Sequence, residues 1–146
     1  MKIAIASDHA GYEVKEKVRQ FIESLGHDVI DCGTGSTESV DYPAFAAAAA
    51  QKVSSGECEQ AVILCGTGIG MAMVANKFRG VRAAVCYDTF STEMARAHND
   101  SNALCLGARA MDLKRIIELV DLYLKTPFEG GRHQRRVDQI TALERC

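Results

Sequence analysis

Residues 60–70 read QAVILCGTGIG. The first six are apolar or small almost throughout, as expected of a strand covered on both faces by other elements. The glycines that follow break the strand and open a helical stretch running to about Lys77. A fully covered strand turning through glycine into a helix is the repeating unit of a parallel α/β sheet. The flanking sequence has the same form. KIAIAS (2–7) reads as a strand, and Tyr12 to Leu25 follows with Val14, Val18, Phe21, Ile22 and Leu25 close to helical period before Gly26 stops it. HDVIDC (27–32) reads as a second strand, GTGSTESVD (33–41) as a polar loop, and Pro43 as the first turn of an alanine-rich helix. After the third strand at 60–65, VRAAVCY (81–87) and ALCLG (103–107) supply two more. Helical patterns lie at Ser91–Ala97 and at Met111–Leu124, the latter ending near Pro127. EGGRHQRRVDQITALERC (129–146) reads as a terminal helix after a Gly-Gly joint that swings it toward another surface.

Five alternations of strand and helix predict an α/β fold with a five-stranded parallel sheet and helices on both faces. The 146 residues suit a single domain spanning 1–146. Such sheets bind ligands at the carboxyl ends of their strands. Asp8 and His9 follow the first strand, Cys65 ends the third, and Arg109 follows the fifth, so the polar candidates gather at one edge.

The net charge of −2 provides no overall field for nucleic acid or an anionic membrane, so any anion site must be local. No apolar run is long enough to span a bilayer, and Asp8 argues against reading the N-terminus as a signal peptide. The six cysteines, Cys32, Cys58, Cys65, Cys86, Cys105 and Cys146, contain no C-x-x-C pair. They read as reduced thiols of a cytoplasmic protein, mostly small core residues. The four histidines, His9, His27, His98 and His133, show no metal-ligand spacing.

CGTGIG carries the strongest chemical signal. Gly66, Gly68 and Gly70 let the backbone approach a ligand and aim several N–H groups at one point, and the helix that follows adds positive potential. That setting suits a phosphate or a developing oxyanion, and it favours a thiolate at Cys65. The alternative is a plain strand–helix turn with a core cysteine. A P-loop is excluded because Met71 and Ala72 stand where Lys and Ser or Thr are needed. The dinucleotide fingerprint fails at its third glycine, although Asp88 lies at the distance of a ribose-binding acid. A cysteine phosphatase loop would need an arginine at Met71. A nucleotide-binding module and a thiol-dependent hydrolase using Cys65 with His98 therefore stay as weaker readings. In SDHAG (7–11), Asp8 is either a site carboxylate or the cap of the next helix, and capping leaves His9 without a role. In AHND (97–100), His98 and Asn99 are either site groups or a polar helix end. In GGRHQRR (130–136), Arg132 and Arg136 share a helical face and suit a phosphate, or form a solvated basic turn; Arg109 is a further phosphate candidate.

Taken in order, SDHAG, VDYP, CGTGIG, NKFRGVRAAV, AHNDSNAL, LGAR and EGGRHQRRV closely resemble the type B ribose-5-phosphate isomerase family, which also holds galactose-6-phosphate isomerase subunits and allose-6-phosphate isomerases. The resemblance covers essentially the whole chain. It implies a Rossmann-like three-layer α/β/α sandwich whose C-terminal helix crosses to a partner subunit. It implies a homodimer, sometimes paired into a tetramer, with active sites built from both chains. The implied activity is aldose–ketose isomerisation in the pentose phosphate pathway, without metal or organic cofactor. Ribose 5-phosphate is the expected substrate, with a six-carbon sugar phosphate as the alternative. The family's base matches Cys65 and its ring-opening histidine matches His98. Its substrate contacts match Asp8, His9, Gly66, Thr67, Gly68, Ile69, Gly70 and Asn99, and its phosphate contacts match Arg109, Arg132 and Arg136. Some members use a glutamate a few residues on as base. Here Val74, Ala75 and Asn76 occupy that region, so the chain follows the cysteine branch. In the implied mechanism Thr67 helps the turn hold a cis-enediolate.

Overall fold

The computed structural model describes residues 1–144. Cys146 and the end of the expected terminal helix lie outside them. The strands are β1 (Lys2–Ser7), β2 (Asp28–Asp31), β3 (Gln60–Cys65), β4 (Ala83–Val85) and β5 (Ala103–Gly107). They form one five-stranded sheet in the order β2-β1-β3-β5-β4, with every pair parallel. The helices are α1 (Tyr12–Ser24), α2 (Tyr42–Ser54), α3 (Ile69–Ala75), α4 (Thr89–Ala97), α5 (Leu113–Lys125) and α6 (Arg132–Thr141).

Alternation along the strands builds two cores. Ala4, Ala6, Ala61, Ile63, Cys65, Ala103 and Cys105 face α2 and α3. Ile3, Ile5, Val62, Leu64, Leu104 and Leu106 face α1, α4 and α5. The first face is mostly alanine. Ala46, Ala49 and Ala50 of the alanine-rich α2 meet it fully buried, so backbone approaches backbone closely. The second face takes the larger side chains, with Tyr123 of α5 fully buried there. The parallel sheet with helices on both faces expected from the alternation is thus observed, as is the three-layer Rossmann-like sandwich that the resemblance implies.

Several elements are shorter or shifted at their ends, and side chains explain where. β4 keeps three of the seven residues expected because it is an edge strand flanked by side-chain bonds. Asn76 accepts from the Ala83 N–H at 2.8 Å, and Asn102 from the Arg82 N–H at 2.7 Å. The same Asn76 ends α3 two residues before Lys77. α4 starts at Thr89, earlier than Ser91, because Asp88 caps it by accepting the Ser91 N–H at 2.7 Å. That bond also holds the Asp88 carboxyl below the usual carboxylate range. Asp88 is therefore a cap. α5 starts at Leu113 rather than Met111 because Asp112 caps it through the Arg115 N–H at 2.8 Å.

Candidate active site

In this strand order β2 lies on one side of β1 and β3 on the other, so the order in which strands are added across the sheet reverses between β1 and β3. A crevice opens at the carboxyl ends of strands where an α/β sheet reverses in this way. Here it is lined by the residues after β1 and after β3. Gly68 has φ +82°, a left-handed conformation that glycine adopts without penalty, and it caps α3. Its N–H donates to Cys65 Sγ at 3.0 Å. Cys65 is 6% exposed. Burial pushes the thiols of Cys32, Cys58, Cys86 and Cys105 up, which suits inert core residues. Cys65 differs in having its sulfur held by a backbone donor at the mouth of a helix.

The rest of the turn is held open around the sulfur. Thr67 Oγ1 accepts the Ile69 N–H at 3.2 Å, and the Thr67 carbonyl accepts the Tyr87 hydroxyl. Tyr42 lies across Gly70, where a Cβ would come within 2.7 Å of its ring. Arg109 is tied in by its own N–H, which donates to the Gly66 carbonyl at 3.1 Å. Its side chain passes beside Gly66, with Cδ 3.5 Å from where a Cβ would stand.

Asp8 and His9 enter from β1. Asp8 does cap the turn after β1, since Oδ1 accepts from Ala10 N at 2.9 Å and Gly11 N at 3.2 Å. Both bonds fall on one oxygen, so capping and a site role are compatible. His9 Nδ1 accepts the Val40 N–H at 3.1 Å, so a neutral His9 carries its proton on Nε2. That bond fastens the end of loop 32–41. The start of the loop is fastened from below: Lys15, 1% exposed, pairs with Asp31 Oδ2 at 2.5 Å, and Asp31 Oδ1 accepts the Gly33 N–H at 3.0 Å.

His98 and Asn99 are not in this group. β3 and β5 run in register from Ala61↔Ala103 to Cys65↔Gly107. Cys65 is at the carboxyl end of that ladder, whereas His98 closes α4 just before β5 begins. A five-residue strand is roughly 13 Å long, so His98 and Cys65 sit at opposite edges of their own sheet. Around His98 a second cluster forms. The His133 ring stacks on the His98 ring with centroids 4.0 Å apart and planes at 12°. Glu129 Oε2 lies 3.6 Å from His98 Nε2 and 3.4 Å from His133 Nε2. The Glu129 N–H donates to the Ala97 carbonyl at 3.0 Å, anchoring the segment to α4. Burial, then His98 and Arg132, hold the His133 imidazole below its ordinary value. The ligand atoms of the two imidazoles and the carboxylate lie within 4.8 Å of one another. Arg132 and Arg136 are exposed on the same first turns of α6.

The expected residues thus fall in two separate groups. One holds Asp8, His9, Cys65, Gly66, Thr67, Gly68, Ile69, Gly70 and Arg109; the other holds His98, Asn99, Arg132 and Arg136. Sequence reasoning missed Tyr42, Glu129 and His133. Tyr42 had a signal, as a tyrosine ending the polar loop just before a helix-starting proline. The pairing of His133 with His98 had none, being a contact across 35 residues of sequence.

The sequence model of the family described as Ribose/Galactose Isomerase matches residues 3–140. The chain belongs to the ribose/galactose isomerase family. Within it, the chain is 43% identical over 143 residues to ribose-5-phosphate isomerase B of Escherichia coli strain K12, covering 98% of this chain and 96% of that protein. Among solved structures, Clostridium thermocellum ribose-5-phosphate isomerase B superposes with a TM-score of 0.96 at 47% identity, over 99% of this chain and 97% of that one. Ribose-5-phosphate isomerase B of Mycoplasma genitalium, determined with bound ribulose-5-phosphate, gives 0.94 at 39% identity, over 98% and 95%. No helix among the described residues is long and apolar enough to cross a membrane.

Proposed function

We propose that this family member interconverts ribose 5-phosphate and ribulose 5-phosphate through a cis-enediolate, with Cys65 carrying the proton, in sites completed by a second copy of the chain. The observation that carries this reading is the Cys65 sulfur held at the mouth of the glycine turn, at the sheet's point of reversal, with Asp8, His9 and Arg109 around it. Membership of the family and the relatives' names support the substrate.

The chemistry balances within the sugar. Cys65 as thiolate takes the proton from C2 of the open-chain aldose. The C–H electron pair becomes the C1=C2 bond, and the carbonyl electrons move to O1. Backbone N–H groups of the glycine turn other than those of Gly68 and Ile69, with the Thr67 hydroxyl, stabilise that negative oxygen, which is where preorganised donors contribute most. Cys65 returns the proton to C1, and the proton on O2 passes to O1, leaving the ketose. Carbon 1 is reduced and carbon 2 oxidised by the same electron pair, so no electron carrier is needed. Asp8 and His9 hold sugar hydroxyls. His98, backed by His133 and Glu129, moves the proton that opens the furanose ring. Arg109, Arg132 and Arg136 hold the phosphate, and Asn99 contacts the sugar.

Turnover on ribose 5-phosphate, allose 6-phosphate and galactose 6-phosphate tests the substrate; faster turnover of either six-carbon sugar would reject the pentose reading. Arg136→Ala should raise the apparent KM roughly 10–100-fold with a smaller effect on kcat, because a charge-assisted bond is lost from binding. An unchanged KM removes Arg136 from the phosphate site.

The separation of the two groups supports the shared site, since Cys65 and His98 cannot meet within one chain. Cys65→Ala and His98→Ala subunits should each be inactive alone. Refolded together, they should regain about a quarter of the parental activity, because half of the dimers are mixed and each mixed dimer has one intact site. Silence in the mixture would reject the shared site while leaving the isomerase reading standing.

A further inference from the structure

The turn that carries His98 and Asn99 is held in an unusual way. Asp100, immediately after them, has φ +45° and is the only non-glycine residue with positive φ among the described residues. Glycine takes this conformation without penalty, and aspartate, like asparagine, at a modest cost. Two arginines from different elements grip it. Arg96, from α4, donates from Nη1 to Asp100 Oδ1 at 2.9 Å and to the Ser101 carbonyl at 2.5 Å. Arg82, at the start of the β4 segment, donates from Nη2 to Asp100 Oδ2 at 3.2 Å. Its Nε reaches the carbonyls of Asn99 at 3.2 Å and Asp100 at 3.0 Å. Tyr123 of α5 closes the arrangement, donating its hydroxyl to the Ser101 carbonyl at 2.7 Å, with the Arg96 guanidinium 5.7 Å from its ring centroid.

Arg96 is buried, and its Nε has no hydrogen-bond partner. Burying an arginine with one donor unsatisfied, to hold a strained aspartate, is a poor route to stability alone. Strain of this kind gathers where a local geometry is needed for function. What it sets here is the direction of the last turn of α4, and so the position of the His98 ring against His133 and of the Asn99 side chain.

We propose that Arg82, Asp100 and Arg96 are positioning residues: a clamp that fixes His98 and Asn99 for ring opening and sugar binding in the neighbouring subunit's site. The proposal rests on the isomerase reading above. It assigns Asp100 two tasks, accepting both guanidinium groups and supplying the left-handed bend. Asp100→Gly keeps the bend and loses the grip. Asp100→Asn keeps the bend and the side-chain size but loses the charge.

The test combines kinetics with NMR of the histidine ring protons. Both variants should remain folded, with kcat on ribose 5-phosphate down at least about tenfold for Asp100→Gly and less for Asp100→Asn. The inhibition constant for inorganic phosphate should stay within about twofold, since no phosphate contact is changed. The His98 ring signals, shifted upfield by the stacked His133, should move toward exposed values in Asp100→Gly. A merely structural role would lower the melting temperature while leaving kcat and the His98 signals unchanged, and that result overturns the clamp. Should Asp100→Gly fail to fold, Asp100→Asn decides by the same two readouts. The ring-current shift does not depend on turnover. A parent that fails to isomerise ribose 5-phosphate would sink the function while the clamp's effect on His98 is still read.

Discussion

Cys65→Ser is expected to lower kcat on ribose 5-phosphate by roughly 10²–10⁴-fold, the contribution of a well-placed proton-transfer group, with little change in the apparent affinity for substrate. Serine is the informative replacement because its Oγ can accept the Gly68 N–H that Cys65 Sγ accepts at 3.0 Å. The bond that closes the turn is then kept, and so is the orientation of the glycine turn. What is lost is an ionisable group: a serine hydroxyl gives up its proton far less readily than a thiol, so almost none of it is a base at neutral pH. Alanine should lose as much turnover, but it also leaves the Gly68 N–H without its partner in a buried turn, so some loss of stability would cloud the result. Steady-state kinetics and the binding of inorganic phosphate to the purified variant check the expectation. Phosphate should bind as tightly as to the parent, because Arg109, Arg132 and Arg136 are untouched. A Cys65→Ser enzyme turning over at the parental rate would show that another group carries the proton.

The part of the candidate site around Cys65 was legible because it is local. Strand, glycine turn and helix follow one another within residues 60–75, and the rule that ligands bind at carboxyl ends of parallel strands needs only their order. Asp8 and Arg109 were placed by that rule, and the register Cys65↔Gly107 puts Arg109 two residues past the end of β5. The part around His98 was not legible by the same means. An amphipathic period shows which face of α4 is buried, but not which end of the sheet its last residue reaches or what stacks on it. The motif order tied His98 to Cys65 through the family, and only the fold shows that the two lie at opposite edges of one sheet. Asp100 was hidden for a different reason. Aspartate tolerates left-handed backbone but more often takes other conformations, so the residue alone does not mark a bend that Arg82 and Arg96 hold from distant parts of the chain. The shortened strands and shifted helix starts follow the same logic. Their ends are set by side-chain caps from Asn76, Asp88, Asn102 and Asp112, which compete with the hydrophobic pattern where it is weakest.

Gly33→Ala should be the most damaging of the glycine-to-alanine changes. A Cβ at Gly33 would lie 2.1 Å from Ser7 N and 2.6 Å from Ala6 Cα, both backbone atoms of the buried β1. No rotamer relieves a clash between backbone and Cβ, so either β1 or the loop must move. The loop is fastened on both sides of the glycine: the Cys32 N–H donates to the Ile5 carbonyl at 2.7 Å, and the Thr34 N–H to the Ser7 carbonyl at 3.1 Å. Breaking either bond, or overpacking the strand, should cost about 3 kcal/mol, the upper end of what overpacking usually costs, a fall in melting temperature of roughly 6–12 °C for a chain of this size. The neighbouring Gly35 has nothing within 4 Å of a Cβ, so Gly35→Ala is the matched control and should melt with the parent. The damage should also reach chemistry. Ser7 precedes Asp8, and the loop that starts at Gly33 ends on the Val40 N–H bonded to His9. A folded fraction of Gly33→Ala that has moved its loop should therefore bind the sugar phosphate more weakly as well as melt earlier. Thermal unfolding of the two alanine variants side by side, with KM measured below the lower transition, checks both parts. A Gly33→Ala protein that melts with Gly35→Ala would mean that β1 and the loop are less closely packed at Ser7 than the 2.1 Å approach requires.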